Sequence, residues 1–233
     1  MAEVRAADGL SALCQVAVID GTGAVASFTG DLCIDHAGHQ VGDGYGVQAN
    51  MTASDRVWPA MAEAFETSPE PLGARMLAAL RAAQDEGGDA RGQMSAAMVV
   101  VDGQRRDEAW AGVKVDIRVD RHQAPLDELA HMLENAAAFG AYGGAVEAFM
   151  GGRPEDALSL LDRALRALPG EANFEFLRGV ALAAAGRGEE AAKTLRALLA
   201  ANPSWATVAR SFATKGFIAL PAEVDLDALL GDS

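Results

Sequence analysis

The sequence predicts an α+β domain followed by an all-α domain, and three observations carry that prediction. Short β-prone runs in the first half come in pairs separated by turn residues. A pair of amphipathic helices interrupts those runs, which favours layered antiparallel ribbons over a parallel βαβ sheet. Beyond residue 150 the chain reads as helix throughout and repeats itself with a period of 34 residues. The domains expected are 1–135 and 136–233, with Gly140, Gly143, Gly144, Gly151 and Gly152 near the transition.

The first ribbon is expected at Cys14–Ile19 and Ala24–Phe28, joined by Asp20-Gly21-Thr22-Gly23, where glycine supplies the positive φ that a tight hairpin needs. A glycine-rich loop from Gly30 to Gly44 follows, then a strand at Tyr45–Met51. The next helix is expected to be capped by Ser54 or Thr52 and to carry an apolar stripe through Met61 and Phe65. The second helix, Leu72–Asp85, turns Met76, Leu77 and Leu80 inward and stops at Gly87-Gly88. Ser95–Val101 and Val113–Val119 form another strand pair, and in the latter apolar and charged residues alternate strictly, so one face is core and the other polar. A helix is expected near Leu126–Met150.

In the second half Gly152-Arg153-Pro154-Glu155-Asp156-Ala157 returns as Gly186-Arg187-Gly188-Glu189-Glu190-Ala191. Leu161, Leu165 and Pro169 return as Leu195, Leu199 and Pro203, and each pair is 34 residues apart. That is the period of tetratricopeptide repeats. Alanines let the helices approach, leucines fill the seam, and the proline is expected to end the second helix of each hairpin. Asn173–Ala185 supplies the intervening helix.

Composition narrows the function classes. Acidic residues outnumber basic ones 33 to 19, for a formal net charge of −14. Residues 1–150 carry 22 acids against 10 bases. Such a field repels phosphate backbones and anionic lipid, so neither nucleic acid nor a membrane is an expected partner. The longest charge-free stretch, Ala197–Ala209, has 13 residues and contains Pro203, too short to span a bilayer. No basic, apolar and small-residue succession opens the chain, so a reduced, cytoplasmic, bacterial-type protein is expected. Cys14 and Cys33 do not make a disulfide framework, and cysteine in a β-prone apolar run reads as packing. Trp58, Trp110 and Trp205 are scattered, which points to separate packing roles.

Three segments carry candidate chemistry. Asp35-His36-Ala37-Gly38-His39 sets two histidines beside carboxylates, but no third ligand follows at a metal-binding distance, so no metal is expected. No cofactor fingerprint is present either. Gln48 and Asn50 share one face of a strand, where side-chain amides position a substrate amide or an oxyanion; the alternative is a solvated face. In Gly87-Gly88-Asp89-Ala90-Arg91-Gly92-Gln93-Met94-Ser95 the backbone amides suit an anion and Arg91 a carboxylate. The alternative there is a long turn in which Arg91 bridges to Asp116 or Asp120.

Taken in order, Gln15-Val-Ala-Val-Ile-Asp20, Val25-Ala-Ser-Phe-Thr-Gly30, Cys33, Ala37-Gly38-His39, Gly42-Asp43-Gly44-Tyr45, Val47-Gln48-Ala49-Asn50-Met51, Met61-Ala-Glu-Ala-Phe65, Gly87-Gly88-Asp89, Arg91-Gly92, Ser95-Ala96-Ala97 and Asp116-Ile117-Arg118-Val119-Asp120 resemble the family called domain of unknown function ten-twenty-eight. The resemblance covers about residues 10–135. It implies an N-terminal-nucleophile (Ntn) hydrolase fold, with antiparallel sheets stacked between helix layers, and an amide-bond hydrolase whose pocket would use His39, Gln48, Asn50, Asp89, Arg91 and Ser95. It also implies a strand and helix upstream and a nucleophile as first residue, whereas removal of Met1 leaves Ala2. A missing edge segment would leave apolar faces uncovered, and a homodimer is expected on that ground. Asn202-Pro203-Ser204-Trp205, with Arg210, Gly216 and Phe217, resembles a segment assigned to peptidoglycan binding in some members. The alternative function is a binding or scaffold protein whose helical repeats hold a peptide, a protein or a peptidoglycan fragment.

Overall fold

A computed structural model describes residues 2–216. The chain divides into two compact units, Met1–Leu133 and Glu134–Ser233.

The first unit opens with a short helix, α1 (Ala2–Ala7), and three antiparallel ribbons: β1 (Gln15–Ile19) with β2 (Val25–Thr29), β3 (Gly38–Gly42) with β4 (Tyr45–Ala49), and β5 (Ala96–Val101) with β6 (Val113–Val119). Helices α2 (Val57–Thr67) and α3 (Leu72–Asp85) lie between the second and third ribbons in sequence. The α+β class is therefore as expected.

Several local expectations need correction. The glycine-rich stretch 30–44 is not one loop: it contains β3, because Asp43-Gly44 makes a two-residue hairpin that pairs Gly42 with Tyr45. Gly44 takes φ 70° there. In the first hairpin the positive φ falls on Gly23, at 87°, and not on Gly21. Asp20 directs that turn, its Oδ1 accepting from the Thr22 N–H at 2.8 Å, the Thr22 hydroxyl at 2.6 Å and the Ala24 N–H at 3.1 Å. Neither Thr52 nor Ser54 caps α2, whose preceding residue is Arg56. Both hydroxyls are committed elsewhere: Thr52 donates to His36 O and Ser54 to Glu86 O.

The β1–β2 ribbon packs against β3–β4. Gln15 ties them together, with Nε2 at 3.0 Å from Thr29 Oγ1, 2.9 Å from Gly38 O and 3.0 Å from Ala49 O. A Cβ on Gly46 would sit 3.0 Å from Val25 Cγ1, so the close approach of β4 to β2 needs that glycine. The other face of β4 buries Tyr45 and Val47 with Ala62, against Trp58, Met61 and Phe65 of α2. A second core gathers Leu77 of α3, Met98 of β5, Ile117 of β6 and Leu129. The outward faces are less well covered: Val18, Ile19, Val99, Val101 and Trp110 are exposed apolar side chains. Trp110 thus has no packing role, contrary to expectation.

Helix α4 spans Pro125–Met150, and α5 (Pro154–Ala167), α6 (Ala172–Ala184), α7 (Gly188–Ala201) and α8 (Trp205–Thr214) follow. Among the described residues of the second unit, Leu161 of α5, Phe174, Val180 and Leu182 of α6 and Leu195 of α7 join Ala138, Ala141, Ala145 and Ala148 of α4 in one core. Gly179 lets α6 and α7 touch: a Cβ there would be 2.6 Å from Leu195 Cδ2. Pro169 follows α5 and Pro203 follows α7, so Pro203 closes the second helix of the α6–α7 hairpin, as expected. A proline just past a helix C-terminus blocks its continuation. No described helix is long and apolar enough to cross a membrane.

Candidate functional site

Three loops meet beside the second ribbon. Thr52, a buried polar residue, donates through Oγ1 to His36 O at 2.6 Å and bridges in antiparallel fashion to Asp89. The Ala53 N–H donates to Gly88 O at 3.0 Å and the Ala90 N–H to Met51 O at 2.9 Å. Two non-glycine residues in this knot are left-handed, His36 at φ 62° and Met51 at φ 57°. Each such conformation costs about 1–2 kcal/mol and persists only where the surroundings impose it. The lacing of the loops by Thr52 and the two backbone bonds is what imposes it here.

Six residues were expected to line one pocket, and the structure distributes them. Asp89, Arg91 and Ser95 border a depression of about 390 Å³ that also takes in Gln84, Met94 and Leu126. Gly88 and Gly92, at φ 57° and 93°, shape its glycine-rich rim. Arg91 does not reach Asp116 or Asp120; it forks onto Asp89, with Nε 3.0 Å from Oδ1 and Nη2 2.7 Å from Oδ2. The Arg91 N–H adds a third bond to Oδ1 at 2.8 Å. These bonds hold the Asp89 carboxyl down at about 2.

His39 lies apart, on the rim of an open depression of about 540 Å³ with Thr29, Cys33, His36 and Trp58. His39 Nδ1 is 2.8 Å from Thr29 Oγ1, and His36 Nδ1 is 2.9 Å from Asp55 Oδ1. Gln48 is the strand partner of His39 and is exposed. Asn50 does not share a strand face with it, because β4 ends at Ala49 and the chain turns at Met51. Asn50 Oδ1 is a buried acceptor without a hydrogen-bond partner among the described residues. His36 and Asp55 were not among the six residues expected in the pocket; the left-handed turn at His36 is invisible to helix and strand periodicity. Among the described residues no group of three or more His, Cys, Asp or Glu side chains is placed to hold a metal ion.

Cys14 and Cys33 are half-buried free thiols, not sealed core residues. Trp205 has the packing role expected of it, its ring centroid 5.1 Å from that of Phe176. That contact commits the aromatic residue of the Asn202–Trp205 segment to the helical core. Phe217, read with the same segment, lies outside the described residues.

The helical unit carries a depression of its own, about 520 Å³, along α6 and α7. Arg178 lines it. Its Nε lies 3.2 Å from Asp162 Oδ1 on α5 and its Nη1 3.3 Å from Thr194 Oγ1 on α7, so one side chain connects three helices. Glu175, Lys193 and Glu190 line the same depression with alternating charge. The Glu190 carboxyl is lowered, first by its hydrogen bonds from Arg187 and then by the charges of Arg187, Arg178 and Lys193.

Fold and surface together describe an α+β domain joined to tetratricopeptide-type helical hairpins. The model of a family of unknown function, DUF1028, matches residues 1–129, more than half of the chain, and a tetratricopeptide-repeat model matches residues 148–213. The chain belongs to the DUF1028 family. Among solved structures it is similar to protein SPO2555 from Silicibacter pomeroyi, a crystal structure of the same family, with 31% sequence identity and a TM-score of 0.50. The similarity covers 58% of this chain, which spans 58% of that protein's length. No curated protein matches.

Proposed function

We propose that this chain is a binding protein whose helical unit holds an extended peptide segment of a protein partner on the α5–α6–α7 face. The observation that carries this reading is Arg178, which lines the depression and is fixed between Asp162 and Thr194. A guanidinium held from both sides loses little freedom when it binds further groups, which lowers the entropic cost of recognition. The match to tetratricopeptide repeats supports protein–protein interaction in general.

The test is selection of peptides from a random displayed library against the full chain, followed by calorimetry on the winners. Binding should weaken at least about tenfold, or 1.4 kcal/mol, in Arg178→Ala and Lys193→Glu. Selected peptides that bind both variants as tightly as the parent would remove this reading. Binding of soluble peptidoglycan fragments in place of peptides would redirect it.

A second reading, amide-bond hydrolysis in the first unit, draws support from the glycine-rich depression, where Arg91 and the backbone amides suit a carboxylate or oxyanion. The geometry gives it less. Ser95 lies in that depression, while His36 and His39 border the other, and the two share no lining residue. A serine needs a base within hydrogen-bond reach to act as a nucleophile. An amide-substrate screen decides it: turnover lost in Ser95→Ala and Arg91→Ala supports hydrolysis, and no turnover by the parent chain ends it.

A further inference from the structure

The β1–β2 ladder does not stop at its last strand pair. The Gly30 N–H donates to Cys14 O at 3.0 Å and the Leu32 N–H to Ala12 O at 2.9 Å, so residues 12–14 run beside residues 30–32. A turn closed by the Cys33 N–H on Gly30 O, at 3.0 Å, then folds Cys33 back over that segment. Its thiol lies 3.6 Å from Leu13 O and 3.7 Å from Cys14 O. Gly30 makes this approach possible, because a Cβ there would run into the carbonyl groups of Ser11 and Ala12. Cys14 is half-buried like Cys33, and its own thiol makes a long contact of 3.7 Å to Asp8 Oδ2. Thiols are weak donors, so neither contact fixes a sulfur strongly.

We propose that Cys14 and Cys33 form a reversible intrachain disulfide when the protein meets hydrogen peroxide, making this pair a modification site. The Cys33 thiolate attacks one peroxide oxygen; the O–O bond breaks, hydroxide leaves and takes up a proton as water, and Cys33 becomes a sulfenic acid. The Cys14 sulfur then attacks the Cys33 sulfur, the S–S bond forms, the S–O bond breaks, and the sulfenic hydroxyl departs as water with the Cys14 proton. Two thiols lose two electrons and one peroxide is reduced to two waters. Burial first, and then the negative charge of Asp8, disfavour a thiolate at Cys14, which leaves Cys14 to resolve the intermediate. The new bond would pin the 30–36 loop, from which Asp31, Cys33, Asp35 and His36 border the 540 Å³ depression.

The experiment uses the full chain with a small excess of hydrogen peroxide. The expected result is a mass loss of two hydrogens, titratable thiols falling from two to none, a Cys14–Cys33 linked peptide on non-reducing digestion, and full reversal by dithiothreitol. The oxidised form should melt several degrees higher, because the bond closes a loop in the unfolded chain. Cys14→Ser should stop at a sulfenic acid on Cys33 that dimedone traps. Gly30→Ala, with both thiols intact, should slow closure by displacing residues 11–14. Oxygen addition at the two sulfurs without cross-linking, or disulfides between two chains, would overturn the proposal.

Discussion

Asp89 and Arg91 are locked together two residues apart, the guanidinium fork of one lying on both carboxylate oxygens of the other at 3.0 and 2.7 Å. Because the fork closes within one glycine-rich turn, it fixes the rim of the depression and leaves Arg91 largely exposed. Arg91→Ala should let the Asp89 carboxyl rise from about 2 toward the ordinary value near 3.9. The linkage has a definite sign: the folded form holds its proton less tightly than the unfolded form. This contribution to stability is therefore complete above about pH 4 and is lost as pH falls toward 2. Carboxyl chemical shifts followed through an acid titration, with and without Arg91→Ala, measure it. An unmoved Asp89 midpoint would break the account.

Gln15 should be the polar residue whose loss most damages the first two ribbons. Gln15→Ala removes the donor from Thr29 Oγ1, Gly38 O and Ala49 O at one stroke. Each intramolecular hydrogen bond contributes about 0.5–1.5 kcal/mol net, so losing the set costs about 1–3 kcal/mol. Urea unfolding should show a lower midpoint at unchanged slope.

In the helical unit, Gly179→Val should destabilise by about 1–3 kcal/mol, since the added atoms have to displace Leu195. Gly140→Val, on a helix where a Cβ meets nothing within 4 Å, is the comparison and should cost far less. Equal losses in thermal melts of the two variants would show that helix propensity, not the α6–α7 contact, controls the outcome.

Strand β5 presents an edge to solvent. Ala96–Val101 contains no charged residue, pairs only with β6 among the described residues, and turns Val99 and Val101 outward. Such an edge is a template for strand pairing between chains. Sedimentation should show concentration-dependent self-association that Val99→Lys suppresses, with stability within about 0.5 kcal/mol of the parent. A parent chain that stays monomeric at high concentration would count against it.

The 34-residue spacing of Leu161 and Leu195 was enough to establish the helical hairpins, because each repeat meets the same neighbours and periodicity encodes those contacts directly. Alternation in Val113–Val119 likewise exposed β6, since one face is buried and the other wet. Strand β3 escaped, because Gly38-His-Gln-Val-Gly42 has glycine at both ends and no apolar alternation; its partner β4, across Asp43-Gly44, makes it a strand. The candidate site escaped for the same kind of reason. Asp89, Arg91 and Ser95 are close in sequence and so stayed together, whereas His39, Gln48 and Asn50 were assigned to the same pocket only by their chemistry. Local pattern alone determined the α+β and helical halves and the glycine-rich turn that carries Asp89 and Arg91; that the two pair with each other was decided by the folded turn. The left-handed His36 and Met51, the Thr52 lacing and the three-helix reach of Arg178 were decided by tertiary structure, because each depends on groups that approach only after distant segments have packed.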